Sequence, residues 1–400
     1  MTLSVQAGVL LLLIAAVVAM LAQRFRLPYS AGLVASGIVL SLIPLPFTFA
    51  LTKELIYTLL LPPLLFEAAF QLEWRQLRKN LPVVAVLATV GVLLSALITA
   101  TGLHFLMNWK WASALIFGAL IAATDPVSVL ATLKEAGAQW RLRLLLEAES
   151  LLNDGTAAIA FVLVVALAQG GDLSIIGAIK TVAIAIAGGI LCGILVAFAV
   201  LLLAGRTQDH LIEITFTAIA AYGSFLLADH FGASGILATI TAGLVMSNQT
   251  CLSGISPQGK DAIDAFWEYA AFLANSIIFI LIGVHEAHQN YAAIGFVVIP
   301  AIALVMLGRA VAVFPCCAAF WRTSLRVTAK HQVVLFWCGL RGALALALAM
   351  GLPPEIPMRE EIILATFATV AFSVFIQGLT TAPLLRKLGE LSHCETPPYE

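Results

Sequence analysis

Apolar stretches about the length of a bilayer crossing recur along the whole chain, separated by short polar loops. A helix needs roughly 20 apolar residues to span the hydrocarbon core. Thirteen runs approach that length, near 4–22, 29–46, 51–70, 81–105, 112–133, 143–169, 174–204, 211–228, 233–248, 263–284, 291–320, 331–350 and 361–385. They lack the strict alternation of membrane strands and are too long for tilted ones. The pattern predicts an all-α polytopic membrane protein of about 13 transmembrane helices.

Basic residues fall on one side of this pattern. Fifteen of the 21 Lys and Arg follow odd-numbered runs, against three (Lys53, Lys110 and Arg359) after even-numbered ones. Lys180, Arg309 and Arg341 lie within runs. The positive-inside rule then places the N-terminus outside and the C-terminus in the cytoplasm. A missed or invented span would scramble the two sets, so the bias also checks the count.

Composition agrees. The chain is 61% hydrophobic and 11% charged, with a mean hydropathy of +1.02, whereas soluble domains carry roughly 25% charged residues. Soluble, disulfide-stapled and disordered classes are excluded. Nucleic acid is excluded as a partner, because 21 basic residues against 22 acidic ones leave no cationic excess. The six cysteines are scattered and read as apolar thiols. The seven histidines lie at or near run ends, without the spacing of a zinc site. The first run has no basic region ahead of it, which favours a retained span over a cleaved signal. One membrane domain is expected over 1–390, followed by a short cytoplasmic tail at 391–400.

The charges inside runs carry the information, since each costs several kcal/mol in a bilayer unless it meets a cavity or another charge. The informative ones are Glu67, Asp125, Glu149, Asp154 and Arg341. In the sixth run, Glu149 lies one turn from Asn153 and Ser150 one turn from Asp154, giving a polar stripe on a helix. In the fifth, Thr124-Asp125-Pro126 interrupts the helix. Proline removes a donor and pushes its predecessor out of helical angles, freeing carbonyls near Ala122 and Thr124. In the twelfth, Gly339 and Gly342 bracket Arg341, whose counter-ion is one of Glu149, Asp154, Asp125 and Glu67. Runs five and twelve cross the membrane in opposite senses, which points to an inverted-repeat transporter with its site where two broken helices cross. Asn275 and Ser276 read as helix-packing residues.

Carboxylates, a hydroxyl, an amide and freed carbonyls are hard oxygen donors suited to hard cations. A partly dehydrated carboxylate can take either a proton or a metal cation, and competition for one such group couples two fluxes. With Arg341 tethered to Glu149, Asp154 would be the exchanging group, although the spacing fits either partner.

These residues, with Phe266-Trp267-Glu268 leading to Asn275-Ser276 and Gly339-Leu-Arg-Gly-Ala343, resemble NhaP-type sodium/proton antiporters, relatives of the eukaryotic NHE exchangers, over most of the chain. The resemblance implies the NhaA/NhaP-like fold: two crossed discontinuous helices in a dimer of thirteen-helix protomers. A core (about 81–169 and 291–385) would move elevator-fashion against a dimerisation domain (about 4–70 and 174–284). It implies Na⁺ or Li⁺ held by Asp154, Ser150, Glu67 and Thr124, Asp125 bracing the crossed helices, and a buried Glu149–Arg341 ion pair. Asn153 implies electroneutral one-for-one exchange, where relatives with two adjacent aspartates are electrogenic. No cofactor beyond the transported ions is expected, and the location implied is the cell's inner or plasma membrane. The rival from another class is an intramembrane aspartyl protease using Asp125 and Asp154 as a proton-sharing dyad, which leaves Arg341 unexplained.

Overall fold

The computed structural model describes residues 5–25, 27–43, 52–127, 129–130, 133, 139–170, 174–207, 209–248, 257–287 and 295–390. Among them no strand occurs, and each of the thirteen apolar runs carries helix. Cys251, Cys394 and the expected tail at 391–400 lie outside the described residues.

Eight helices are long and apolar enough to cross a membrane: α1 (Val5–Phe25), α4 (Trp74–Met107), α6 (Trp140–Ala168), α7 (Ile176–Ala204), α8 (His210–His230), α10 (Pro257–Glu286), α11 (Gly295–Ala318) and α14 (Arg359–Leu388). Shorter apolar helices are α2 (Tyr29–Ser41), α3 (Leu55–Gln71), α5 (Trp111–Ile121) and α9 (Gly235–Asn248). The twelfth run is two half-helices, α12 (Ala329–Trp337) and α13 (Ala343–Met350), joined by non-helical residues 338–342. Thr328 starts α12 by accepting from the His331 amide, and Asp209 starts α8 by accepting from Leu211. Several helices begin earlier than their apolar runs. The first turns of α4 and α6 carry Arg75 and Arg141, whose apolar stems can lie along the helix while the charge reaches the membrane edge.

The densest packing falls within two groups of helices. In one, α4 packs on α5 and α11, and α5 on α6. In the other, α2 packs on α10, and α9 on α3, α7 and α8. Glycines let the backbones touch: a Cβ on Gly37 of α2 would come within 2.9 Å of the Gly283 Cα of α10, and one on Gly308 of α11 within 2.7 Å of the Ser95 carbonyl of α4. The second group has its own small core around Phe66 and Trp267, whose rings lie 4.6 Å apart. Contacts between the groups are sparser, for example α6 on α9 and the end of α13 on the start of α3. Between them lies a cavity.

Candidate functional site

Two helix breaks cross and satisfy each other. After Ile121 the chain leaves helical geometry through 122–126, and Pro126 accepts from the Val129 and Leu130 amides where helix resumes. The Asp125 amide donates to the Leu340 carbonyl of the other break at 2.7 Å. The Asp125 carboxylate accepts from Val127 at 3.1 Å and from the Ala343 amide that opens α13. An anion at the first amides of a half-helix meets the positive end of its dipole. Arg341 does the converse. It donates to the carbonyls of Ala122 at 2.7 Å and Ala123 at 3.0 Å, the negative end of α5. Each break thus caps the other with a side chain of the appropriate sign.

This overturns the expected Glu149–Arg341 ion pair. Glu149, 1% exposed, is held instead by Arg309 of α11 through two parallel bonds, 2.8 Å to Oε1 and 2.9 Å to Oε2. Arg309 also donates to the Leu335 carbonyl near the end of α12. The physical reason is a demand for donors: the carbonyls freed in the fifth run need partners inside a bilayer, and the guanidinium of Arg341 supplies them. The sequence does carry a signal for Arg309: it lies well inside a 30-residue apolar run, as conspicuous a position as that of Arg341. The two glycines beside Arg341 have separate jobs. A Cβ on Gly339 would lie 2.6 Å from Arg309 Nε, and one on Gly342 would collide with the Asp125 carboxylate.

The stripe on α6 faces the crossing. Asn153, fully buried, accepts from the Thr124 amide at 3.2 Å and donates to Thr124 Oγ1 at 2.6 Å and Glu149 Oε1 at 3.1 Å. Ser150 donates its hydroxyl to the Thr124 carbonyl. One turn on, Thr156 donates to the Ala88 carbonyl, inside the wide π-turn at Leu87–Gly91 of α4. The other break receives parallel treatment: Gln377, in a π-turn of α14, donates to the Trp337 carbonyl at 2.9 Å where α12 ends.

Asp154 is different. It is half-buried, lines the cavity, and no protein donor among the described residues reaches its carboxylate. The cavity holds about 350 Å³ and is bounded by α2, α3, α6, α10, α13, residues 123–127 and Leu130. Asp154, Ser150, Thr124, Asp125 and Glu67 all line it, whereas Glu149, Asn153 and Arg341 lie behind that wall. Glu67 faces in from α3, and the Gln71 amide one turn on donates to it. Glu147 of α6 and Glu268 of α10 add two carboxylates, and no Lys or Arg is among the described lining residues. Glu268 belongs to the Phe266-Trp267-Glu268 motif without a role assigned from sequence, and Glu147 sits near a run end, where a charge looks ordinary. Ser276 has the packing role expected, bonding to Tyr29 Oη at 2.8 Å and to the Phe272 carbonyl at 2.5 Å. Asn275 does not: it lines the cavity. The four described cysteines are free thiols, and among the described residues no His, Cys, Asp and Glu group has metal-site geometry.

The chain matches the family model described as "Sodium/hydrogen exchanger, transmembrane" over residues 9–387. It is 36% identical over 366 residues to the Na⁺/H⁺ antiporter ApNhaP of Aphanothece halophytica, covering 91% of this chain and 70% of that protein. It is 33% identical over 394 residues to the antiporter NhaH of Halobacillus aidingensis, covering 95% and 96% respectively. In fold it is similar to the sodium proton antiporter MjNhaP1 of Methanocaldococcus jannaschii at pH 8. That match has a TM-score of 0.75 at 20% identity and covers 96% of this chain and 98% of the other.

Proposed function

This chain belongs to the sodium/hydrogen exchanger family, and on that premise we propose that it is a secondary active antiporter exchanging Na⁺, or Li⁺, for H⁺ at Asp154. The single observation that carries the reading is the contrast between Asp154 and its neighbours. Glu149 is neutralised by Arg309, Arg341 is spent on freed carbonyls, and Asp125 braces α13. Asp154 alone among these presents an uncommitted carboxylate to the cavity.

The cation rests on Asp154, the Ser150 hydroxyl, the Thr124 oxygens and Glu67, all lining one wall or the facing one. Asn153 positions Thr124 and keeps the stripe neutral next to Asp154. A proton on Asp154 removes the charge that holds the metal, so each ion excludes the other. With a neutral Asn153, one positive charge is traded for one, and exchange is electroneutral.

The carboxylates of Glu67, Glu147 and Glu268 around the cavity favour cations over anions. Glu67 lies near the end of α3 and Glu147 near the start of α6, beside the basic segments at 75–79 and 141–143. This supports a cavity open to the cytoplasm, an N-terminus outside and a C-terminus inside, in the cell's inner or plasma membrane. Access then alternates by movement of α4–α6 and α11–α14 against α1–α3 and α7–α10, as the sparse packing between the groups supports. The apolar outer face of α7, with Ile179, Leu191, Leu195 and Leu202 exposed, suits lipid and a second copy of the chain in a homodimer.

An aspartyl protease finds no support here. The Asp125 oxygens are built into the crossing instead of facing a peptide bond.

Proteoliposomes test the proposal. An imposed Na⁺ gradient should drive a pH change across the membrane, and Asp154→Asn should abolish it. Undiminished exchange by that variant would remove Asp154 from its role.

A further inference from the structure

On α10, the Phe266-Trp267-Glu268 segment and Asn275 belong to a motif that the exchange chemistry at Asp154 leaves unused. Glu268, Phe272 and Asn275 recur at helical spacing and line the cavity together. Trp267 points the other way, into the small core of its helix group, where its indole donates to Thr217 at 2.9 Å. The cavity-facing side is held firmly. Phe272 stacks on Tyr29 with ring centres 5.5 Å apart, and the Tyr29 hydroxyl bonds Ser276 and reaches the Ala15 carbonyl at 3.3 Å.

Asn275 is 8% exposed, and none of the hydrogen bonds among the described residues involves its carboxamide. Its polar atoms are not among the sealed, unpartnered ones of the described residues, so the carboxamide opens to the cavity and takes its hydrogen bonds from what fills it, water or a ligand. The ligand must be compatible with a cavity that also presents Asp154, Glu67 and Glu268, with no Lys or Arg among its described lining residues. An anion is excluded by those carboxylates. A hydrated cation fits, since the Asn275 oxygen can accept from its remaining water.

We infer that Asn275 holds the hydration shell of the entering or leaving cation from the wall opposite Asp154, and so sets affinity for the cation on the cavity-facing side of the membrane alone. The inference rests on the antiport reading above, and on α10 lying in the helix group that does not carry Asp154. When α6 moves with its site, Asp154 leaves this wall behind, and the opposite face of the membrane meets a site without Asn275.

The test is sidedness. Everted vesicles present the cytoplasmic face to added Na⁺, and right-side-out vesicles present the other. Asn275→Leu, close in shape and without polar atoms, should raise the KM for Na⁺ in everted vesicles by about three- to tenfold, the range one hydrogen bond supplies. The maximal rate, and the KM in right-side-out vesicles, should stay as in the wild type. Asn275→Asp should lower the everted-side KM instead, and this variant decides the matter if the leucine variant fails to reach the membrane. A KM unchanged on both faces, or raised equally on both, overturns the inference. A wild-type chain that exchanges nothing overturns the antiport reading and this inference with it, whereas active exchange with unaffected variants overturns this inference alone.

Discussion

Arg309 grips Glu149 with a two-pronged pair of bonds, 2.8 and 2.9 Å, in a site from which water is almost excluded. The pair ties α11 to α6, and through the Leu335 carbonyl it ties both to the half-helix α12. Planar guanidinium and carboxylate match in shape, so one contact fixes both distance and orientation.

Breaking this pair from one side should be costly. Arg309→Leu leaves Glu149 buried and unpaired, a loss of about 3–5 kcal/mol. The thermal midpoint in detergent should fall and expression should suffer. Removing both charges, as Arg309→Leu with Glu149→Leu, should recover much of that loss. A single variant as stable as the wild type would contradict the tether.

At the crossing, Gly342→Ala should be severe for the addition of one methyl group. Its Cβ would collide with the Asp125 carboxylate, which then loses the Ala343 amide. Transport should be lost and stability reduced, while Gly8→Ala, with nothing within 4 Å, should be silent by the same assays. Full activity in Gly342→Ala would mean that Asp125 does not brace α13.

The two breaks were legible because backbone chemistry is local. Pro126 and the glycines around Arg341 announce them whatever the rest of the chain does. The helices and the α6 stripe were legible for the same reason, as periodicity is written in neighbours. Partners across the bundle are not local. Arg309 and Arg341 are both arginines inside apolar runs, and only the crossing geometry hands Glu149 to one and the Ala122 and Ala123 carbonyls to the other. Asn275 and Ser276, adjacent in sequence, face different surroundings for the same reason: the side chains of successive helical residues diverge.

Asn153 offers a test of charge balance. Its amide donates to Thr124 Oγ1 and to Glu149 Oε1, so Asn153→Asp removes two donors and sets a like charge beside Glu149. Stability should drop. Any exchange that survives should depend on membrane voltage, measured with an imposed potassium diffusion potential, because the site then carries an additional negative charge. Voltage-independent exchange by this variant would contradict electroneutrality as a consequence of Asn153.

Arg341→Met should destabilise in another way, by orphaning the Ala122 and Ala123 carbonyls at about 1–3 kcal/mol for each unsatisfied group. Unlike Arg309→Leu, it should not be rescued by neutralising Glu149. Rescue by Glu149→Gln would restore the ion pair that the geometry denies.

The most direct measurement is proton release on Na⁺ binding to the purified protein in weakly buffered solution. If Na⁺ and H⁺ compete for Asp154, adding Na⁺ should expel up to one proton per site wherever that carboxyl is protonated, and apparent Na⁺ affinity should weaken about tenfold per pH unit as acidity rises through that range. Asp154→Asn should release none. Saturable Na⁺ binding with no proton expelled at any pH would contradict the account at its centre.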